Sequence, residues 1–190
     1  MRNARWLGTS AAALLITAAV ATGYAQAPDA IRISGTVTRA QNRTTNDPAL
    51  ERQLEEAFSS NRVWTDLAVT ADVTFRQLNR AEYAVPVTVR IAPASELLVG
   101  RTERSRLDFI AAVTDPSGIT VANMRDAPVL TLDAASIASL AKTPIVYDTI
   151  FTLLPGRYTL KILARDQTTG RIGSVNVPFT IPNLNRQQLN

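Results

Sequence analysis

Apolar and polar residues alternate over much of the chain, and a repeat of two residues is typical of β-strands that bury one face. Ile31 to Thr38 shows this repeat first and predicts a short strand. Leu67 to Arg76 and Val85 to Ile91 alternate on either side of a polar stretch, so together they predict a long hairpin. Because Pro86 lacks a backbone N–H, we expect the second arm of this hairpin to lie at a sheet edge or to carry a bulge.

The second half of the chain continues the same alternation. It predicts strands at Leu107–Val113, Ile119–Met124, Val129–Leu132, Ile145–Leu153, Tyr158–Arg165 and Val175–Ile181. Between two of these strands, Asp115–Gly118 has proline and glycine at the second and fourth positions of a β-turn. Asp166–Gly170 is a second polar turn, and each turn is predicted to join its flanking strands into a hairpin.

Two stretches have helical periodicity instead. Asp47 and Pro48 are residue types that favour the start of a helix, and apolar residues recur at helical spacing from there to about Ser59. We expect the apolar stripe of this helix to pack on a sheet, with a partner-binding helix as the alternative. Asp133 to Lys142 predicts a shorter helix that crosses between two sheets.

About nine short strands with two short helices predict a mainly β fold, an antiparallel two-sheet immunoglobulin-like sandwich. The segment Leu154–Tyr158 refines this prediction, since a Pro-Gly turn is followed closely by a tyrosine at the start of a strand. In immunoglobulin-like domains the hydroxyl of such a tyrosine bonds back to the turn backbone. The alternative is that Tyr158 is an ordinary strand aromatic.

The first 25 residues have the pattern of a secretory signal peptide. Two arginines precede the apolar stretch Trp6–Val20, and Gly23 and Ala25 place small residues at the −3 and −1 positions of a cleavage site after Ala25. We expect export to the periplasm or the medium, with an uncleaved anchor as the alternative and no stable membrane span after cleavage. The predicted organisation is a signal peptide at 1–25, an N-terminal strand and loop at 26–46, the sandwich at 47–184 and a flexible tail at 185–190.

The composition excludes several chemistries. The chain contains neither histidine nor cysteine, which removes thiolate catalysis, cysteine zinc sites and the commonest general base. The net charge is only +4, and no run of lysine or arginine would follow a phosphate backbone, so nucleic-acid binding is not predicted. No nucleophile elbow, phosphate loop or dinucleotide motif occurs either. We therefore predict a protein that is not an enzyme and has no catalytic, cofactor-binding or metal-binding residues.

The carboxylates leave two alternatives open. Asp108 and Asp148 lie in strand segments and could form the paired acids of a glycoside hydrolase. Both fall at positions that alternate outward from apolar neighbours, so solvated strand faces are the simpler interpretation. Asp115, Asp126 and Asp133 lie near turns, where oxygen ligands suit calcium, but their spacing is not that of an EF-hand.

Four stretches of the chain resemble a known bacterial family. They are YAVPVTVRI (83–91), RLDFIAAVTDPSG (106–118), PIVYDTIFTLLPGRYTLKILARDQTTGRIGS (144–174) and VPFTIPNL (177–184). They resemble the C-terminal β-domain of acidobacterial-type exported proteins related to the von Willebrand factor A domain. The metal site of that A domain uses an Asp-x-Ser-x-Ser loop, which this sequence lacks, so the site is not carried over. The resemblance implies an exported accessory sandwich.

Two functions of different classes follow from these observations. The first is an exported, non-catalytic module whose edge strands or loops contact another exported or envelope protein. The alternative is a carbohydrate or small-ligand binding module, in which Trp64 and Tyr83 would form an aromatic platform for a sugar ring. Against this alternative, both aromatic residues could equally be core or rim residues.

Overall fold

The computed structural model describes residues 30–34, 48–60, 62–94 and 104–184. The predicted signal peptide, the residues between 35 and 47, and the predicted tail lie outside this part of the chain. The strands are β1 (Ile31–Ser34), β2 (Val69–Val73), β3 (Arg76–Gln77), β4 (Tyr83–Ile91), β5 (Arg104–Thr114), β6 (Thr120–Asp126), β7 (Val129–Thr131), β8 (Ile145–Leu153), β9 (Gly156–Asp166) and β10 (Ile172–Ile181). The helices are α1 (Pro48–Ser59) and α2 (Ala134–Ser139).

The strands form two sheets that pack face to face. The first sheet has the order β1-β8-β4-β2 with β3 beside β4, and the second has the order β10-β9-β5-β6 with β7 beside β5. All pairs are antiparallel except β1 with β8, which are parallel. The triplet β2-β4-β8 and the quartet β10-β9-β5-β6 correspond to strands A, B, E and G, F, C, C′ of immunoglobulin domains. The predicted mainly β, two-sheet immunoglobulin-like sandwich is thus confirmed, and β1 joins it at the edge of the first sheet.

Alternate residues of both sheets fill the space between them. Phe109 of β5 stacks on Tyr147 of β8, with ring centroids 4.0 Å apart and planes 9° from parallel. Each is at most 1% exposed. In antibody domains an aromatic residue of strand C packs on a disulfide at this level of the core. Because this chain has no cysteine, a second ring takes that place.

Helix α1 packs on the outer face of the second sheet. Leu54 and Ala57 of the helix form a small buried cluster with Ile110 and Leu163, whose side chains point away from the main core. Trp64 follows the helix, and its indole Nε1 donates to the carbonyl of Ala57 at 3.1 Å. The prediction that the apolar stripe of this helix packs on a sheet is therefore confirmed.

One lateral side of the sandwich is closed by the approach of β2 to β10. The backbone N–H of Leu67 donates to the carbonyl of Ile172 at 3.2 Å, and Thr65 forms an isolated bridge with Gly173. A Cβ at position 173 would lie 2.3 Å from the Leu67 carbonyl oxygen and 2.6 Å from Val69 Cγ2. The two sheets meet so closely here that only glycine fits.

The position of Pro86 differs from the sequence prediction. Strand β4 lies between β8 and β2, so the expected edge strand is wrong, and the register on both sides of Pro86 is continuous, so it is not a bulge either. Instead, Pro86 lies opposite the two-residue gap between β2 and β3, where Thr74 donates its N–H to the Pro86 carbonyl at 3.1 Å. Because the neighbouring strand is interrupted at this level, it forms no ladder hydrogen bond that would require the N–H that proline lacks.

The predicted crossing helix is confirmed as α2. Asp133 is its N-cap, and the Asp133 carboxylate accepts the N–H of Ser136 at 2.7 Å. The helix connects β7 of the second sheet to β8 of the first. Within the described residues, neither helix is long and apolar enough to cross a membrane.

Candidate functional site at the corner end

The turn between β8 and β9 is held by a tyrosine corner. The Tyr158 hydroxyl donates to the carbonyl of Leu154 at 3.0 Å, as the sequence predicts. Gly156 makes room for the ring, since a Cβ there would lie 2.9 Å from the Tyr158 oxygen. Burial, helped by the nearby charge of Asp115, raises the pKa of this hydroxyl. The hydroxyl is therefore a fixed donor and not an acid at neutral pH.

Register brings three turns to the same end of the sandwich. Thr114 at the end of β5 pairs with Thr159 near the start of β9. Leu153 at the end of β8 pairs with Tyr83 at the start of β4. The turns 78–82, 115–119 and 154–155 lie just beyond these pairs. We call this end, with its three turns, the corner end.

A groove of about 420 Å³ lies at the corner end. It is lined by Pro116, Arg157, Tyr158, Thr159, Pro178, Phe179 and Thr180. Tyr158 and Phe179 contact each other across β9 and β10, with centroids 5.6 Å apart. Arg157 is exposed, and its guanidinium has no hydrogen-bond or ion-pair partner among the described residues. The groove thus combines apolar walls with one available cation.

The corner end also carries several exposed apolar side chains that do not line the groove itself. Ile119 is 62% exposed, Leu154 57%, Leu78 47% and Phe75 41%, and all four lie in or beside the turns of the corner end. Single exposed apolar residues are ordinary, but their concentration at one end is typical of binding surfaces. The arrangement offers apolar contact and one charge, which is what binding needs.

The two strand carboxylates lie on the outer faces of opposite sheets. Asp148 accepts from the Thr88 hydroxyl at 2.7 Å and from Arg32 at 3.0 Å, and it remains partly exposed. Asp108 is only 4% exposed and accepts from Arg165 Nε and from Gln167, each at 2.8 Å. The interpretation of Asp108 as a solvated residue is therefore wrong, because α1 covers its face of the sheet. The two carboxylates do not form a pair.

The three turn aspartates also lie apart, and each already accepts hydrogen bonds. Asp115 accepts the N–H of Ser117 at 2.8 Å and that of Ile119 at 3.0 Å. Asp126 accepts from the Tyr147 hydroxyl at 2.9 Å, and Asp133 caps α2. Among the described residues, no group of carboxylates is placed to hold a metal ion.

These hydrogen bonds change the acidity of the groups that make them. Burial, followed by the charge of Asp126, raises the pKa of Tyr147 well above its usual range. Hydrogen bonds from Ser136 lower the pKa of Asp133. Both shifts favour the form found in the structure, a neutral tyrosine that donates and an ionised aspartate that accepts. Neither group is prepared to exchange a proton near neutral pH.

The two aromatic residues proposed as a platform are also separate. Tyr83 is completely buried, and its hydroxyl accepts the N–H of Leu184 at 3.2 Å. Trp64 lies against the end of α1, with the Arg62 guanidinium 4.3 Å above its ring. They do not form a common surface for a sugar ring, and their roles are in the core and at its rim.

Sequence reasoning did not identify Arg165 as the partner of Asp108. The signal was present, since Ile110 and Leu163 place large apolar side chains on the same face as Asp108 and Arg165. A face that alternates apolar and charged residues needs a cover, and the amphipathic helix α1 supplies one. The corner-end apolar residues were also missed, and their signal is their position in or beside turns, which are usually polar.

No protein-family model and no curated protein match this chain. Among solved structures, it is similar over 61% of its length to a glycosyl hydrolase family 2 member from Bacteroides cellulosilyticus, with 14% identity and a TM-score of 0.42. Over 58% it is similar to the β-glucuronidase of Bacteroides uniformis, with 11% identity and a TM-score of 0.42. The matched part is 15% and 13% of those two chains, so this protein corresponds to a small part of each. The class that the fold itself defines is an immunoglobulin-like β-sandwich with a helix on its second sheet.

Proposed function

We propose that this protein is an exported, non-catalytic β-sandwich module that binds another exported or envelope protein through its corner end. The observation that carries the proposal is the concentration of exposed apolar side chains at the corner end: Phe75, Leu78, Ile119 and Leu154. The tyrosine corner holds one side of this surface in place. Ordered apolar surfaces lose little conformational freedom on binding and are suited to recognition.

The state of the carboxylates supports binding rather than catalysis. Asp108 is neutralised by Arg165, and Asp115, Asp126 and Asp133 each accept hydrogen bonds from their own surroundings. An acid–base site gathers titratable groups around one substrate. The five candidate carboxylates, these four and Asp148, are instead distributed over two outer faces and three turns.

The groove favours a partner segment of mixed character. Its apolar walls suit an aliphatic or aromatic side chain, and the guanidinium of Arg157 suits a carboxylate next to it. A short extended segment with both features would cover the exposed Leu154 and Ile119. A short segment bound in one groove buries little surface, and interfaces with a small buried area are among the weaker protein complexes.

A photo-crosslinking residue, p-benzoylphenylalanine, tests the surface in cells that export the protein. We expect the residue at Leu154 to give one discrete adduct with a second envelope protein, identified by mass spectrometry. The matched control is the same residue at Thr70, which is exposed on the outer face of the first sheet and lies toward its other end. Equal adducts at both positions, or none at Leu154, would overturn the proposal.

Small-ligand binding in the same groove is the second candidate. Its volume lies within the roughly 300–1,000 Å³ of typical ligand sites, and Arg157 with Thr159 and Thr180 supplies polar groups. A thermal-shift panel of anionic sugars and carboxylates, with Arg157→Ala as the control variant, tests it. Stabilisation that disappears in Arg157→Ala would support this candidate, and no shift across the panel would exclude the ligands tested.

Export is part of the proposal, together with the resemblance to von Willebrand factor A-related proteins. N-terminal sequencing of the protein recovered from the periplasm or the medium is the direct test. Cleavage after Ala25 makes Gln26 the first residue of the mature chain. A protein that keeps its first 25 residues, or that is found only in the cytoplasm, would contradict it.

A further inference from the structure

The two lateral sides of the second sheet differ. The first residues of β10 are covered by the segment from Trp64 to Leu67, whereas β6 has β5 on one side and no strand on the other in the described part of the chain. An edge strand presents unpaired N–H and C=O groups to any strand that can lie beside it. Seven residues, Thr120–Asp126, are available in β6.

The side chains of β6 have a definite orientation. Ala122 and Met124 pack against the main core, while Asn123 and Arg125 point to the outer face. Val121 lies at a bulge and is 45% exposed. A strand that pairs with β6 must place apolar residues on the core side and must also cover Val121.

We infer that β6 pairs antiparallel with β6 of a second copy of this chain. A register with Asn123 on the two-fold axis pairs the regular part of the two strands, centred on Ala122–Met124. Apolar residues then stay on the core side, with Ala122 beside Met124 of the second copy, because a slip of one residue would turn every side chain to the other face. The resulting contact is isologous, the usual form of a dimer interface.

The charges of β6 are compatible with this register. Arg125 lies opposite the bulged Val121 of the second copy, and Asp126 lies beyond this bulge, so no like charges face each other. Arg125 is already paired with Glu55 of α1 at 3.4 Å, which leaves its methylene groups to cover the bulged valine. A second copy of β6 matches the apolar and charged positions of the first by its own sequence, whereas a strand of unrelated sequence need not match them.

The chain offers a direct test because it has no cysteine. Directly opposite residues in antiparallel strands have Cα atoms about 4.5–5.5 Å apart, which is within the range for a disulfide, about 4.4–6.8 Å. We expect purified Asn123→Cys to form a disulfide-linked dimer under mild oxidation at least tenfold faster than Thr152→Cys, a control that is also exposed but lies on the first sheet.

A charge at the axis provides the complementary test. Asn123→Lys places two ammonium groups opposite each other, so sedimentation equilibrium should show at least a tenfold weaker dimer, while Thr152→Lys leaves it unchanged. Circular dichroism of each variant checks that the monomer is folded. A wild-type chain that stays monomeric at millimolar concentration, or an Asn123→Cys variant that oxidises no faster than Thr152→Cys, would overturn the inference. The Leu154 crosslink is unaffected by these outcomes, so the proposed function is tested separately.

Discussion

The outer faces of the two sheets differ although their sequences look alike. On the first sheet, Asp148 lies among the polar side chains of Thr88 and Arg32 and remains in contact with water. On the second, Asp108 and its partner Arg165 are buried beneath α1. The alternation within a strand determines which residues face outward from the sandwich. Whether those residues contact water depends on a helix from elsewhere in the chain.

Of the changes that test this difference, the removal of Asp108 should lower the free energy of unfolding most. Asp108→Ala leaves the Arg165 guanidinium buried without its carboxylate, and we expect it to lower the free energy of unfolding by about 3–5 kcal/mol. Asp148→Ala removes an exposed pair and should lower it by less than about 1 kcal/mol. Urea denaturation of both variants measures the difference, and equal losses would contradict the role of α1 as a cover.

Truncation of an apolar residue should also lower the stability more on the covered face of the second sheet than on the exposed face of the first. Leu163 is completely buried under α1, so Leu163→Ala should lower the free energy of unfolding by about 2–5 kcal/mol. Ile150 occupies an outward position of β8 and is 40% exposed, so Ile150→Ala should have a much smaller effect. Thermal denaturation followed by circular dichroism provides the comparison. A loss at Ile150 as large as that at Leu163 would mean that the first sheet is also covered.

Replacing the whole buried pair should have a smaller effect than breaking it. The double variant Asp108→Leu with Arg165→Met fills the space beneath α1 with apolar side chains and leaves no charge unpaired. We expect it to recover most of the stability lost in Asp108→Ala, because apolar replacements of buried ion pairs are often neutral or stabilising. Urea denaturation of the single and double variants side by side tests this expectation. A double variant as unstable as Asp108→Ala would show that Gln167 or another neighbour still requires the carboxylate.

Lys161 should give the smallest effect, which depends on pH. Its ammonium group donates to the Ser60 carbonyl at 2.7 Å, and burial lowers its pKa. The unfolded chain therefore binds more protons just below pH 10.5, so the free energy of unfolding contributed by this group should rise slightly as the pH rises into that window. The measurement is the difference between wild type and Lys161→Met as the pH is raised to 10.5. A contribution that falls with pH would contradict the lowered pKa.

Much of this fold was accessible from the sequence because its signals are local. The alternation of Tyr158–Arg165, the Asp115–Gly118 turn and the tyrosine corner each involve residues close together in the chain. The burial of Asp108 and the central place of Pro86 depend instead on partners far away, which periodicity does not identify.

The candidate site was less predictable for the same reason. Leu78, Ile119 and Leu154 come from three different turns and Phe75 lies between β2 and β3, so only strand register brings the four to one end. The sequence did predict that loops or edge strands would be the contact regions. It could not predict which of them lie together at the corner end.

The closure between β2 and β10 has a consequence for how the chain folds. It joins positions near residue 65 to positions near residue 173, and the hydrogen bond from Trp64 to Ser174 spans 110 residues. During synthesis from the N-terminus, this contact cannot form until the last hairpin has left the ribosome. Long-range contacts of this kind slow folding. The contact at Gly173 can therefore form only in a chain that includes β10, because a shorter chain has no strand to pair with the segment before β2.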